Sequence, residues 1–324
     1  MGTCQNGQQG GKTMSFSSDI KQELNKTNSL ANKENVKFEL IGYVVSGNTT
    51  VVKGKNLRFS TESDYNINRF SKLLSNLDIH HDIDISGKTF NIVTKALDIS
   101  KLEFLEIRDN EVFLKPEFEN IKASSNKDMQ KDTQKNARLE DNMKAFIRGA
   151  FMGAGSINNP ENSYHLEITV SNEENLSVLQ KQLENFDIHA KTLITVNKFS
   201  VYLKEGEEIS RLLALIGANK AVMQFEDIRI QKEMRGKVNR IVNCETANLN
   251  KTINAAIEQI AAIEKLQKDG RFNKLDDNLK EIAILRVENP DMSLVELGKL
   301  LKEPIGKSGV NYRLKKIVEI ANGK

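Results

Sequence analysis

Two segments of the chain alternate small residues with large apolar residues in a helical pattern. They are residues 40–48, LIGYVVSGN, and residues 144–155, KAFIRGAFMGAG. A glycine inside a helix costs up to about 1 kcal/mol relative to alanine, and the usual compensation is that another helix can approach its backbone closely. The pattern therefore predicts two helices that pack tightly against each other, with Gly42 and Gly149 at equivalent positions.

Each of these segments begins one copy of an internal repeat. Residues 57–80, LRFSTESDYNINRFSKLLSNLDIH, match residues 166–189, LEITVSNEENLSVLQKQLENFDIH, without a gap. Asn66 then pairs with Asn175, and both copies end in Asp-Ile-His. Self-similarity of this length indicates one supersecondary unit that is used twice.

The order of elements within each copy follows from the apolar pattern. A small-residue helix precedes two strand-like runs, an amphipathic helix and an alternating hairpin. A short helix is predicted to close each copy, at residues 100–105 in the first and 207–216 in the second. The predicted fold class is α+β, with two αββαββα halves followed by an all-α domain.

The C-terminal segment has the pattern of a small bundle of three helices. The first is predicted at residues 279–287, and the second begins at the capping-box residue Ser293. The third begins near Ser308, and one apolar arc of this helix consists of Val310, Leu314, Ile317, Val318 and Ala321. The connection between the last two helices is longer than the three- or four-residue turn of the tightest helix-turn-helix units.

The opposite side of the third helix is basic and rich in hydrogen-bonding groups. Arginine and asparagine can read base edges, whereas lysine and serine hold phosphates. This composition is typical of a recognition helix, although an ordinary cap of helices is the alternative interpretation. The predicted DNA-contacting residues are Lys307, Ser308, Gly309, Asn311, Tyr312, Arg313, Lys315 and Lys316.

Composition divides the chain into six segments. Residues 1–13 are rich in glycine and glutamine and are expected to be a disordered extension or a remnant of cloning. The other predicted segments are a first half (14–122), a polar linker (123–142), a second half (143–228), a basic helical connector (229–270) and the C-terminal helix-turn-helix domain (271–324).

The connector carries Arg235, Lys237 and Arg240 as candidate phosphate contacts. A solvated charged face is the other interpretation, because basic faces are common on surface helices. The charge distribution of the whole chain adds to the first interpretation. From Arg229 onward there are 19 lysines and arginines and 13 acidic residues, against 28 and 31 in the rest of the chain. An anionic partner is therefore expected at the C-terminal third.

Other features exclude several classes of protein. Cys4 and Cys244 are too few for a disulfide framework or a zinc cluster. No apolar run approaches the roughly 20 residues of a membrane-spanning helix, and no secretory signal is evident. We therefore expect a soluble, cytoplasmic protein.

Three stretches are similar to the WhiA family of bacterial regulators. They are FIRGAFMGAGSINNPENSYHLEI, FEDIRIQKEMRGKVNRIVNCETANLNKT and SLVELGKLL…KSGVNYRLKKI. The duplicated small-residue helix followed by strands also resembles the LAGLIDADG homing-endonuclease domain. The resemblance covers residues 14–323 apart from the linker at 123–136. It implies two LAGLIDADG-like halves that form a saddle, followed by a helix-turn-helix like the DNA-binding part of sigma factors. It further implies a transcriptional regulator that is linked to cell division, chromosome segregation and, in spore formers, sporulation.

The same resemblance bears on catalysis. In the homing endonucleases each motif ends in an acidic residue, and the two carboxylates hold a divalent metal at the scissile phosphates. On this sequence the acid positions are Gly47 and Ala154, whose side chains carry no oxygen. Glu39 and Glu161 lie nearby but outside this register. We therefore predict no catalytic residue, no metal and no cofactor, with the packing role of the helices retained.

Other catalytic interpretations are weaker. His80, His81 and His189 form a candidate cluster, but His80 and His189 are equivalent positions of the repeat, so a repeated helix end or loop explains them without catalysis. Cys244 has no histidine near it in sequence. The glycines of GAFMGAGS lie inside an apolar pattern and are not followed by Gly-Lys-Ser/Thr, so they do not form a phosphate-binding loop.

Two hypotheses remain. In the first, the protein is a non-enzymatic regulator associated with the nucleoid. Its partner is duplex DNA, and its saddle adds backbone contacts or receives another transcription regulator or a small ligand. In the second, it is a metal-dependent nuclease with a metal site that the motif does not reveal. The residues at 47 and 154 favour the first.

Overall fold

The computed structural model describes residues 15–27, 30–52, 56–95, 102–121, 133–196 and 198–323. These residues form two compact units, which divide between Lys232 and Glu233. The predicted N-terminal extension and residues 123–132 of the predicted linker lie outside the described residues.

The first unit begins with the helix α1 (Phe16–Asn25), which Ser15 caps by accepting a hydrogen bond from the amide of Ser18 at 3.2 Å. The first copy of the repeat follows. Its elements are α2 (Lys33–Val44), β1 (Thr49–Val52), β2 (Asn56–Thr61), α3 (Asp64–Asn76), β3 (His81–Ser86), β4 (Thr89–Thr94), β5 (Leu105–Arg108), β6 (Glu111–Leu114) and α4 (Pro116–Glu119).

The second copy has the same order of elements up to its second hairpin. Its elements are α5 (Thr133–Ala154), β7 (Gly155–Ile157), β8 (Leu166–Val170), α6 (Glu173–Glu184), β9 (Lys191–Thr195), β10 (Lys198–Leu203) and α7 (Gly206–Leu215). The long helix α8 (Asn219–Lys268) comes next and crosses the boundary between the units.

The two copies build antiparallel sheets of the same topology. The strand order is β1-β2-β4-β3 in the first sheet and β7-β8-β10-β9 in the second. One face of each sheet is buried in the core, as Leu57, Phe59 and Ile92 show for the first sheet and Ile168 and Val201 for the second. The predicted α+β class and the duplication are thereby confirmed.

The helices α2 and α5 cross at Gly42 and Gly149, which have no side chains. A Cβ on Gly42 would lie less than 3.0 Å from the carbonyl oxygen of Phe146. A Cβ on Gly149 would lie equally close to the carbonyl oxygen of Glu39. The two glycines therefore exchange matching contacts across the crossing. This is the close approach that their sequence pattern predicts.

A buried carboxylate joins three helices beside this crossing. Arg69 on α3 donates from Nε and Nη2 to the two oxygens of Glu39, at 2.8 and 2.9 Å, and Arg148 on α5 donates to Glu39 at 3.4 Å. Burial opposes the charge of Arg69, but the hydrogen bond and the charge of Glu39 raise its pKa. Burial lowers the pKa of Arg148, which also donates to the carbonyl of Ile216. The cluster places one carboxylate between two guanidinium groups that the core has removed from water.

The repeated Asp-Ile-His sequence is the end of a helix. Asp78 and Asp187 both have a φ of 55°, in the left-handed region. The amide of the following isoleucine donates to the carbonyl of Leu74 at 3.0 Å in the first copy and to that of Leu183 at 3.1 Å in the second. This is the hydrogen bond of a Schellman-type helix end, where aspartate tolerates the left-handed backbone better than most residues.

The repeated asparagines have different partners in the two copies. Asn66 donates from Nδ2 to the carbonyl of Met152 at 2.8 Å and so ties α3 to the end of α5. Asn175 donates to the carbonyl of Val112 at 2.8 Å and accepts from the amide of Leu114 at 2.9 Å. Asn175 therefore holds the β5–β6 hairpin against the second copy.

That hairpin corrects one of the predictions. Residues 102–104 form a turn and Leu105 begins β5, so the closing helix predicted at 100–105 is wrong over its described part. The sequence LEIRDNEVFL alternates on both sides of Asp109 and Asn110, and both residues have positive φ, which is typical of a hairpin turn. The closing helix of the second copy is confirmed at Gly206–Leu215.

Two predicted boundaries also shift. The helix α5 begins at Thr133, so residues 133–142 of the predicted linker are helical. This helical start is polar and gives no apolar signal, although an ion pair between Lys144 and Glu140 at 2.7 Å supports it. The predicted basic connector (229–270) belongs to one helix, α8, which begins earlier, at Asn219, and ends at Lys268.

The second unit is a helical bundle. After α8 and a short 3-10 turn (Arg271–Lys274) come α9 (Asp277–Glu288), α10 (Leu294–Leu300) and α11 (Lys307–Ala321), and the three predicted helices are thereby confirmed. The end of α8 adds Ile263 and Leu266 to their core, so a core of three helices alone was an incomplete prediction. Among the described residues, no helix is long and apolar enough to cross a membrane.

We expect the crossing of α2 and α5 to tolerate no side chain. Gly42→Ala and Gly149→Ala should each lower the free energy of unfolding by about 1–3 kcal/mol or more, because overpacking displaces backbone rather than a flexible side chain. The matched control is Gly236→Ala on α8, where a Cβ would meet nothing within 4 Å. This control should be neutral or slightly stabilising, and urea unfolding followed by circular dichroism measures all three. Equal stability of the three variants would contradict the backbone contact.

The buried cluster gives a second prediction. Glu39→Gln should destabilise the first unit by about 3–5 kcal/mol, because it leaves Arg69 and Arg148 buried without their carboxylate. Glu103→Gln removes the exposed partner of Lys37 and should change little, since water screens that pair. Thermal unfolding of both variants tests the difference. A neutral effect of Glu39→Gln would show that the arginines do not need its charge.

Candidate nucleic-acid interface

The last helix, α11, is anchored along one side. Val310, Leu314, Ile317 and Ala321 are buried, and Val318 is half-buried. They pack against α9 and α10 in the core of the second unit. The apolar arc predicted for this helix is thereby confirmed, and its opposite side is left on the surface.

The predicted DNA-contacting residues on this surface differ in their exposure to solvent. Tyr312 is 67% exposed, and Arg313 is half-buried at the flank. Gly309 is also half-buried, and a Cβ on it would lie 3.1 Å from Cδ1 of Ile305, so this residue packs on the preceding turn. The exposed members are Lys307, Ser308, Asn311, Tyr312, Lys315 and Lys316.

The turn before α11 is held by backbone contact with α10. Ile305 donates from its amide to the carbonyl of Gly298 at 3.1 Å. A Cβ on Gly298 would lie less than 3.0 Å from the carbonyl oxygen of Ile305. The six-residue connection (301–306) is therefore longer than the tightest helix-turn-helix turn but packs closely against α10.

The start of α10 is capped as the sequence predicts. The Ser293 hydroxyl accepts from the Glu296 amide at 3.3 Å, and the Glu296 carboxylate accepts from the Ser293 amide at 2.8 Å. The charge-assisted hydrogen bond from the Ser293 amide to the carboxylate lowers the pKa of Glu296, and the Ser293 hydroxyl adds to this effect. The capping box gives α10 a fixed start beside α11.

Arg286 is a structural residue that sequence reasoning missed. It is 1% exposed and donates from Nη1 to the carbonyls of Pro290 and Met292, at 3.2 and 2.9 Å. It thereby fixes the turn between α9 and α10. Its position inside the apolar run IAILRV was the available signal. A charged residue on the buried face of a helix needs hydrogen-bond partners.

The candidate phosphate contacts on α8 are not brought together on one side. At about 100° per residue, Lys237 and Arg240 lie on neighbouring parts of the helix surface, while Arg235 lies well away from both. All three are exposed. Lys237 forms an ion pair with Glu233 at 2.8 Å, which reduces its availability to an anion.

The positions of the endonuclease acids lie where α2 and α5 end. Ala154 is the last residue of α5, and Gly47 lies in the turn after α2. The Gly47 amide donates to the carbonyl of Thr169 at 2.9 Å, and a Cβ on Gly47 would lie 2.8 Å from Cγ2 of Thr169. This turn is bound to β8 of the other copy, so a side chain at position 47 would displace Thr169.

No other acid takes the place of the missing pair in the part of the chain that the structure describes. Within it there is no group of three or more His, Cys, Asp or Glu side chains placed to hold a metal. Glu39 is bound by Arg69 and Arg148. Glu161 is exposed in the loop between β7 and β8.

The histidines have local roles. His81 contacts the Ser71 hydroxyl through Nε2 at 2.8 Å and the carbonyl of Ile79 through Nδ1 at 3.0 Å. His189 is exposed and lies 3.4 Å from Glu208. His81 and His189 therefore lie beside groups of their own copies, and His80 is exposed. Cys244 is exposed on α8, and Cys4 lies outside the described residues.

The open faces of the two sheets carry mixed charge. In the first sheet Arg58 and Asp82 flank Val93 of the central strand β4 in the pairing register, and Asp84 follows on the same face. In the second sheet Glu167 binds Lys198 at 2.8 Å and accepts from the Ser200 hydroxyl at 2.6 Å. These acids make the sheet faces less suited to a DNA backbone than the face of α11.

Comparison with known proteins identifies two domains. A family model for the WhiA LAGLIDADG-like domain matches residues 143–235, and one for the WhiA C-terminal HTH domain matches residues 238–321. The Probable cell division protein WhiA of Clostridium tetani is 38% identical over 325 residues, covering 95% of this chain and 97% of that protein. That of Clostridium beijerinckii is 52% identical over 182 residues, covering 56% of this chain and 58% of that protein.

A solved structure is similar over the same extent. The full-length DUF199/WhiA structure from Thermatoga maritima matches with a TM-score of 0.59 and 27% identity, covering 96% of this chain and 99% of that one. The order of elements from the first repeat to the last helix therefore recurs in a second protein.

The exposed face of α11 gives a prediction for DNA binding. Arg313→Ala and Lys316→Ala should each weaken specific binding by about 1–3 kcal/mol where the residue touches a base. Lys265→Ala on α8 removes the same charge from the same unit and should change affinity little. Fluorescence anisotropy with a bound genomic duplex, at one fixed salt concentration, compares the variants. Unchanged affinity in both α11 variants would place the reading face elsewhere.

Proposed function

The chain belongs to the WhiA family, and we propose that it is a transcriptional regulator that reads duplex DNA through α11. One observation carries this proposal. The helix α11 presents an exposed face of lysine, serine, asparagine and tyrosine while its other side is buried in a packed bundle. A recognition helix needs both properties, because a mobile helix would lose the geometry of its base contacts.

The side chains of this face suit different parts of the duplex. The Asn311 amide carries a donor and an acceptor that match the adenine edge in the major groove, and the Arg313 guanidinium carries paired donors that match the two acceptors of guanine. Lys307, Lys315 and Lys316 supply charge for phosphates, which sets affinity and its dependence on salt. Arg235, Lys237 and Arg240 are proposed as secondary phosphate contacts.

We further propose that the protein does not cut DNA. Metal-dependent cleavage needs a carboxylate from each copy at the ends of α2 and α5. Gly47 and Ala154 stand at these positions, and the backbone of Gly47 is hydrogen-bonded to Thr169. The two helices then serve as the packing centre of the first unit, which adds DNA contacts or receives another regulator or a small ligand.

The relatives named as probable cell division proteins suggest the process concerned. We propose that the protein acts at the nucleoid and controls genes of cell division and chromosome segregation, and of sporulation where the organism forms spores. Duplex DNA is its primary partner in this proposal.

The proposal is tested by measuring binding and cleavage of genomic duplex fragments together. The full chain is compared with a chain that ends at Lys232, the boundary between the two units, with Mg²⁺ and with a chelator. We expect specific binding by the full chain only, and intact DNA in every lane.

Two results would contradict the proposal. Specific binding that the shorter chain retains would move recognition to the first unit. Cleavage that depends on Mg²⁺ and persists in a nuclease-free preparation would show that the substitutions at positions 47 and 154 did not end catalysis.

A further inference from the structure

A cavity of about 250 Å³ lies within the second unit, between the C-terminal part of α8 and the helices α10 and α11. It is open to solvent on one side, and both polar and apolar side chains line it. Its lining residues include Lys251, Thr252, Gln259, Arg286, Lys307 and Asn311.

Two of these side chains are buried and have an unsatisfied polar atom. Arg286 is 1% exposed and Gln259 is 8% exposed. Neither the Nε of Arg286 nor the Oε1 of Gln259 has a hydrogen-bond partner among the described residues. A buried polar atom without a partner destabilises the fold, and more so when its group is charged. Both side chains belong to residues that line this cavity, so a polar occupant that reaches them would satisfy these atoms.

The charge of the lining defines this occupant. Lys251, Arg286 and Lys307 contribute three positive charges, and no carboxylate is among the lining residues. Both lysines are exposed, and neither has an ion pair in the part of the chain that the structure describes. Burial lowers the pKa of Arg286, which donates to the neutral backbone carbonyls of Pro290 and Met292. A bound anion would compensate this buried cation.

The arrangement of the donor groups favours an oxyanion. The guanidinium of arginine presents planar donors that match the oxygens of phosphate, and hydroxyl and amide groups from Thr252 and Asn311 supply further hydrogen bonds. Rotation of the Gln259 amide exchanges its oxygen and nitrogen and makes it a donor to the same anion. The cavity is smaller than the usual range of about 300–1,000 Å³ for drug-sized ligands, so a single phosphate group with a small substituent suits it.

We infer that this cavity binds a phosphate group, with Arg286 as the buried donor and with Lys251 and Lys307 at its entrance. Two sources supply this chemistry. One is a phosphorylated small molecule, and the other is a phosphate of the DNA backbone. The second source rests on the proposed function, because Lys307 and Asn311 belong to the face of α11 that is proposed to read DNA.

The test titrates inorganic phosphate into the full chain at constant ionic strength. It follows the Nε–H signal of Arg286 by nuclear magnetic resonance, because this buried group reports on the cavity directly. We expect a saturable shift of that signal. Lys251→Met with Lys307→Met should weaken phosphate binding by about tenfold or more, since that factor corresponds to about 1.4 kcal/mol, less than a charge-assisted hydrogen bond contributes.

The matched control is Lys265→Met with Lys299→Met, which removes two exposed lysines of the same unit that do not line the cavity. This control should bind phosphate as the unaltered chain does. Circular dichroism confirms that both double variants are folded. No saturable shift in the unaltered chain, or the same affinity in both double variants, would overturn the inference.

A second arm distinguishes the two sources. Bound duplex DNA that displaces phosphate from the cavity identifies the DNA backbone as the source, whereas phosphate and DNA bound together identify a free phosphorylated molecule. Both results support the site. DNA binding without any response to phosphate would overturn this inference alone, and a phosphate response in a chain that does not bind DNA would overturn only the proposed function.

Discussion

The first unit depends on the contact between the backbones of α2 and α5. Gly42 and Gly149 exchange contacts with the carbonyl oxygens on the facing helix, and Gly153 lies against Ser46 one turn further along. Contact at this distance brings each copy's elements within reach of the other copy. Asn66 of the first copy binds the carbonyl of Met152 in the second. The crossing therefore acts as the framework on which both sheets are built.

The same closeness depends on the glycines and not on the residues at the acid positions. The glycines lie in the middle of the crossing, whereas the acid positions lie at its end, where each helix passes into a turn. At that end the Gly47 amide is paired with Thr169, and the neighbouring Asn48 donates to the carbonyl of Gly153 at 2.7 Å. A backbone hydrogen bond and a hydrogen bond from the Asn48 side chain therefore hold this end of the crossing. The packing of the two helices does not require a carboxylate at either position.

Much of this fold could be predicted from sequence because its signals are local. The strands β2, β3 and β4 alternate with period two, and α3 and α11 carry clear apolar arcs. Predictions failed where the deciding contact was distant. The β5–β6 hairpin is held by Asn175, which lies about sixty residues further along the chain, and the polar start of α5 has no apolar face to reveal it. The pairing of α8 with the C-terminal core was hidden in the same way, because Ile263 and Leu266 look like part of a connector.

The candidate site, too, could be predicted where its signal is local and could not be predicted where it depends on distant contacts. The apolar residues of α11 repeat with the helical period, and this pattern predicts both the buried side of the helix and its exposed face. The cavity beside it is not evident from the sequence, because Arg286, Gln259 and Lys251 come from two different helices and only the fold brings them together. The charge distribution alone indicated that an anionic partner binds the C-terminal third. The folded structure was needed to show which of its basic residues share a surface.

The central claim is that α11, rather than the open face of the sheets, lies against DNA. Site-specific photo-crosslinking tests it most directly, with a benzophenone side chain in place of Tyr312 or in place of Asp84 on the first sheet. Both positions are exposed, so each variant should fold. We predict crosslinks to a bound genomic duplex from position 312 that an excess of unlabelled duplex abolishes, and few from position 84. Crosslinks from position 84 alone would contradict the account and place recognition on the sheets.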